Sequence, residues 1–254
     1  MRRAIYAGQK TILMPTRVES LAASFWSKSG VPETLPRDIE SAAIWTLPVG
    51  VFRLPQLTVN LVTRWLASRG LPVMDLGPDR PLHACLLAHR GYGLIMLDGA
   101  DAPGEQRISI AHEVAHFLSD YWIPRSAITG SLGTWATEIV DGTRIATTTE
   151  RIGWILSMAP TAPRAHLMGR GADGSVACNG VATSEFNADQ LAFELLAPRQ
   201  MVLANVSNGD REQLVSVLSE SYGLPKWASR EYATQLALWS KELPSFREWL
   251  GIRK

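Results

Sequence analysis

Residues 107–118 read Arg107-Ile108-Ser109-Ile110-Ala111-His112-Glu113-Val114-Ala115-His116-Phe117-Leu118, and two patterns share this stretch. Ala111, Val114, Ala115 and Leu118 recur at helical spacing and form an apolar stripe that seats a helix on a core. His112 and His116 are four residues apart, so they sit one above the other, off the buried stripe and facing a cleft. Two imidazoles so placed can reach one divalent ion. Glu113 then points beside the ion, where its carboxylate can take a proton from water. The spacing predicts a zinc peptidase; the bland alternative is a surface helix with two incidental histidines.

A catalytic zinc site takes three protein donors and keeps one position open. The third donor must come from elsewhere, and Glu185, Asp189, Asp120, His166, His89, Cys85 and Cys178 are the candidates. Glu185 is the best of them, because Glu185 to Pro198 has the signature of a second helix. Ala188, Leu191, Ala192, Leu195 and Leu196 supply its buried face, Thr183 or Ser184 its cap, and Pro198 its stop.

These two segments resemble the ImmA/IrrE family of zinc metallopeptidases. In that family R-x-x-x-A-H-E-x-x-H is followed by E-x-x-A-[ND]-x-x-A-x-x-L-L-x-P, matched here by Arg107 with Ala111 to His116 and by Glu185 to Pro198. The resemblance covers roughly residues 80 to 200. It implies an α+β, zincin-like core with a small twisted sheet against the HExxH helix, flanked by N- and C-terminal helices. It implies Zn2+ held by His112, His116 and Glu185, with Glu113 as base. It also implies cytoplasmic, regulatory cleavage of a helix-turn-helix repressor in a stress or defence response. His116 and Glu185 lie further apart than in the simplest family members, so an insertion is expected at about 121–183. Neither a helix-turn-helix before the core nor a sensor domain after it is expected. The corresponding division is 1–75 as a bracing helical region, 76–200 as the metallopeptidase core, and 201–254 as a helical region packed on it.

Outside those segments, Thr16-Arg17-Val18-Glu19 has the form of a capping box and predicts a helix through Phe25 and Trp26 to Gly30. Further helices are expected at about Arg37–Trp45 and Thr58–Ser68, with Trp26, Trp45 and Trp65 in the core. Strands are expected at Pro72–Leu76, Leu82–Ala88 and Tyr92–Leu97, with His89-Arg90-Gly91 as the turn of a hairpin. An edge strand beside the metal helix can hold a peptide as an added strand, so this hairpin is the candidate substrate rail. Within the insertion, Glu150–Met158 suggests a short helix, and Arg164–Arg170 with Ser175–Cys178 a second hairpin. Its position suits a lid or a specificity wall, or a structural elaboration away from the metal. Asp210 starts a C-terminal helix, Gly223-Leu224-Pro225 ends it, and another follows with Trp227, Tyr232 and Leu236; both are expected to pack on the core.

Several residues have secondary assignments. Cys85 and Cys178 are candidates for an inhibitory or fourth ligand, because a thiolate would displace the water, although a free cysteine is more often a small buried hydrophobe. Asp120 can accept the far N–H of a ligand imidazole, and the Tyr121 hydroxyl can steady a transition state. His166 and His89 can stabilise an oxyanion, or are plain strand or surface histidines.

The chain has 254 residues, 46% of them apolar, which suffices for a large core. A net charge of +1 gives no general attraction to nucleic acid or membrane. Two cysteines, no apolar run near the ~18 residues of a membrane span and no signal-peptide pattern give a cytoplasmic expectation. Two other functional classes fit. One is a metal-bearing binding protein without proteolysis. The other is a regulator that responds to nucleic acid, with single-stranded DNA in a groove lined by Arg2, Arg3, Lys10, Arg53, Arg64, Arg69 and Arg90.

Overall fold

Six residues between two prolines, Val49 to Leu54, form a strand that pairs alongside the central hairpin. A computed structural model describes residues 15–71, 76–141, 143–145, 147, 164–169, 179–206 and 210–240. In chain order these form α1 (Pro15–Ser29), α2 (Ile39–Thr46), β1 (Val49–Leu54), α3 (Val59–Ser68), β2 (Leu82–His89), β3 (Tyr92–Asp98) and α4 (Pro103–His116). A π-helical turn (Phe117–Trp122) continues α4 into α5 (Ile123–Leu132) and α6 (Thr134–Val140). Then follow β4 (Arg164–Gly169), α7 (Asn179–Leu196), α8 (Arg199–Ala204), α9 (Arg211–Glu220) and α10 (Lys226–Ser240). The class is α+β.

The sheet is mixed, in the order β1-β3-β2-β4. β1 runs parallel to β3, with Val49 opposite Gly93, while β2 and β3 form the expected antiparallel hairpin, with Leu87 opposite Leu94. β4 lies antiparallel on the other side of β2, with Leu86 opposite His166. Alternation along the strands gives the sheet two apolar faces. Ala84, Leu86, Ile95 and Leu97 join Ala111, Val114 and Ala115 of α4 in the main core. Leu82, Cys85 and Met96 join Leu57, Val59, Val62 and Leu66 in a smaller core under α3. The irregularity between Leu82 and Ala84 lets Leu82 and Cys85 share a face despite their odd separation.

The helix boundaries have local causes. Asp38, Thr58 and Asp210 accept backbone N–H bonds at the starts of α2, α3 and α9. At Gly93 the helix meets the sheet so closely that a Cβ would lie 2.8 Å from both Phe117 and Val49, so only hydrogen fits there. Side-chain bonds tie the flanking helices to the core. The carbonyl of Leu195, in the last turn of α7, accepts from the indole of Trp26 at 2.9 Å and from Arg37 at 3.3 Å. Arg107 donates to the carbonyl of Gly223 at 2.7 Å and ties the C-terminal helices to α4.

Four expectations are corrected. The hairpin is not a sheet edge, because β1 and β4 flank it; a substrate strand cannot be added to β2 while β4 is there. β1 falls between Pro48 and Pro55, where the expected strands include none. Trp45 is 77% exposed rather than in the core. Thr183 and Ser184 lie inside α7, which begins at Asn179, so neither caps it. Residues 72–75, the Glu150–Met158 helix and the Ser175–Cys178 strand lie outside the described residues. No helix among the described residues is long and apolar enough to cross a membrane.

Candidate metal centre

α4 and α7 pack face to face, each presenting a polar pair one turn apart. His112 and His116 on α4 meet Glu185 and Asp189 on α7. α4 is buried by the sheet on one side and by α7 on the other, leaving His112 5%, Glu113 0% and His116 3% exposed. The two histidines are thus buried rather than facing an open cleft, while Glu185 and Asp189 on the facing helix keep 32% and 44% of their side chains exposed.

The two Nε2 atoms of His112 and His116 are 3.1 Å apart, and each lies 3.5 Å from Oε2 of Glu185. Donors about 2.0–2.1 Å from one tetrahedral ion are about 3.3 Å from each other, so this triangle has the size such an ion requires. His166 of β4 completes the group: donor atoms of His112, His116, His166 and Glu185 all lie within 4.8 Å of one another and could hold a metal ion. The ring of His166 stacks on that of His116 at 3.8 Å.

The far side of each α4 imidazole is held by a carboxylate. Nδ1 of His116 is 2.9 Å from Oδ2 of Asp120, which the π-turn carries one helical step beyond it. Asp120 in turn accepts from the Ser184 hydroxyl at 2.5 Å, a link from the π-turn to α7. Nδ1 of His112 is 2.9 Å from Oδ1 of Asp189. A carboxylate can only accept, so Nδ1 carries the hydrogen and Nε2 is the nitrogen turned toward the cluster centre.

Electrostatics in the cluster follow from burial set against these bonds. Burial alone would depress the His112 imidazole, but the bonds to Asp189 and Glu185 and the charge of Glu113 prevail and raise its pKa to about 9. Burial opposes the charge of His166 too, yet Glu113 and Glu185 on either side lift it to about 10. Glu185 resists its own burial through bonds to His112, His116 and His166 and is held far below the usual carboxylate range. Charge is thus densely compensated, which is the condition for keeping ionised groups inside a protein.

Placement of the remaining candidates is mixed. Asp120 occupies the position expected for an orienting carboxylate. Asp189, weighed as a third donor, instead orients His112; its spacing of four from Glu185, mirroring His112 and His116, was the available signal. Tyr121 is buried, and its hydroxyl accepts from the Gly91 amide at 2.6 Å, so it braces the hairpin turn and does not face the cluster. His89 ends β2 opposite Tyr92 at that same turn. Cys85 lies on the α3 face, fully buried among Leu57, Val62 and Met96. Burial, and then the charge of Glu113, push its thiol well above its ordinary pKa, and Cys85 is not among the donors that converge in the cluster. Cys178 lies outside the described residues.

No protein-family model and no curated protein matches this chain. Its capabilities follow from its own residues.

Proposed function

We propose that the protein is a zinc-dependent endopeptidase with a zincin-like core. In this reading His112, His116 and Glu185 hold the ion and Glu113 is the general base. The observation that carries it is the convergence of two carboxylate-oriented imidazoles and one carboxylate at tetrahedral spacing, with a buried glutamate adjoining them. Zinc is favoured over harder cations because imidazole nitrogens outnumber carboxylates in the cluster. When bound, the ion would lower the pKa of a water to roughly 7 and polarise the scissile carbonyl.

The chain's own residues supply the rest. Glu113 is fully buried beside the donors, in the place from which a carboxylate would take a proton from water and pass it to the leaving amine. Asp120 and Asp189 keep the rings aligned. The resemblance to the ImmA/IrrE family supports regulated, cytoplasmic cleavage of a helix-turn-helix repressor in a stress or defence response over general digestion.

The test is the zinc-loaded Glu113→Gln protein incubated with labelled casein and with candidate helix-turn-helix repressors. Cleavage should fall by about a hundredfold or more with zinc content unchanged. Cleavage at the parent rate would remove Glu113 from this role. One observation favours a second reading: His166 is a fourth donor, and a site closed by four protein donors suits a metal-bearing binding protein. That reading expects stoichiometric zinc and no cleavage dependent on Glu113.

A further inference from the structure

We infer that β4 is a built-in inhibitory strand, which occupies the place of a bound peptide on β2 and delivers His166 as a fourth protein donor that closes the ion against water. The inference rests on the peptidase reading and adds its regulation.

Two independent features of β4 lead to it. The first is where the imidazole sits. Nδ1 of His166 is 3.2 and 3.0 Å from the two carboxylate oxygens of Glu113, and Nε2 is 3.1 Å from Oε1 of Glu185. A general base must stand about 2.6–3.2 Å from the proton it removes, so the ground beside Glu113 that a reacting water needs is taken by this ring. A histidine that served the reaction by donating to an oxyanion would be engaged with the substrate side of the ion. His166 engages the base and a ligand at once.

The second feature is how the strand arrives. β4 pairs antiparallel with β2, from Leu82 opposite Gly169 to Ala88 opposite Arg164. Main-chain pairing of this kind is how an extended peptide adds to a sheet edge. Without β4, β2 would be the edge nearest α4 and would be the rail that the hairpin spacing suggests. A substrate segment and β4 therefore compete for the same main-chain groups of β2, and displacing β4 withdraws His166 in the same step. The far nitrogen of His166 is held by the base itself: Nδ1 is oriented by Glu113, where His112 and His116 are oriented by Asp189 and Asp120.

The experiment begins with the full-length parent protein. X-ray absorption of the zinc-loaded parent should count three imidazoles; two would overturn the inference without any substitution. Next, His166→Ala and His166→Gln are compared with the parent, with folding checked by circular dichroism. Zinc affinity by chelator competition should fall about tenfold or more. The visible bands of the Co2+-loaded protein should shift as an exchangeable position opens. Cleavage of labelled casein should rise at least severalfold. Parent-like affinity and spectra, or slower cleavage than the parent, would overturn the inference. Weaker zinc and a shifted spectrum with no cleavage by parent or variant would instead sink the peptidase reading, while the ligand assignment stands.

Discussion

The donors of the cluster come from two regions that hold their side chains by different means. The α4–α7 pair sets His112, His116 and Glu185 by helical spacing, and Asp189 and Asp120 fix the far nitrogens of the two rings at 2.9 Å. The edge strand β4 holds His166 by pairing with β2 and by packing Leu167 and Met168 on the two cores, and the ring is bonded to Glu113 and Glu185 and stacked on His116. A donor built on a packed helix with its own orienting acid stays in place as the site changes state. A donor carried by one edge strand can leave without unfolding the core. On the proposed reading, the contrast separates a permanent metal seat from a removable plug.

The comparison breaks most completely if the helix pair is not the seat. His116→Ala removes one donor and strands Asp120, so zinc affinity should fall by about a thousandfold or more, read by chelator competition. Full-strength zinc in that variant would move the seat elsewhere. The orienting acids sharpen the same point at smaller scale. Asp189→Asn and Asp120→Asn keep shape but lose charge, and each should weaken zinc about 10- to 100-fold with the fold intact by circular dichroism. If neither changes affinity, the two regions do not differ in how they hold their rings.

Proton competition provides the next test. In the metal-free protein His112 is raised to about 9 and His166 to about 10, so near neutrality both hold protons that a metal must displace. Protons therefore oppose binding below those values, and zinc affinity should climb by about tenfold per pH unit for each proton released, measured from about pH 6 to 8. A flat profile would mean that these imidazoles are not ligands. The smallest effect is expected across the sheet: Cys85→Ala should leave zinc content and cleavage within about twofold, because the thiol is small, protonated and on the α3 face. A large gain in cleavage would restore the thiolate as an inhibitor and weaken the case for His166.

Much of this molecule was legible before any coordinates. The helical placement of His112, Glu113 and His116, the second helix that carries Glu185 and its stop at Pro198 follow from spacings of a few residues. So do α3 between Thr58 and Gly70 and the hairpin turning at Arg90 and Gly91. Asp120 was found because it lies one helical turn past His116, and that turn survives even where the helix widens to a π-turn.

The misses share a physical cause. β1 looks like a broken loop between Pro48 and Pro55, because its strand identity comes from parallel pairing with β3, over forty residues on. Cys85 seemed placed to reach the metal until an irregularity beside Ala84 set which face it shares. Tyr121 found its partner in a backbone amide thirty residues earlier. His166 had no helical neighbour to give it away, and it enters the cluster only because β4 crosses to β2. Helical spacing is a property of adjacent residues and is written locally. Strand partnership is settled by which distant edges meet, and here that meeting brings His166 to the cluster.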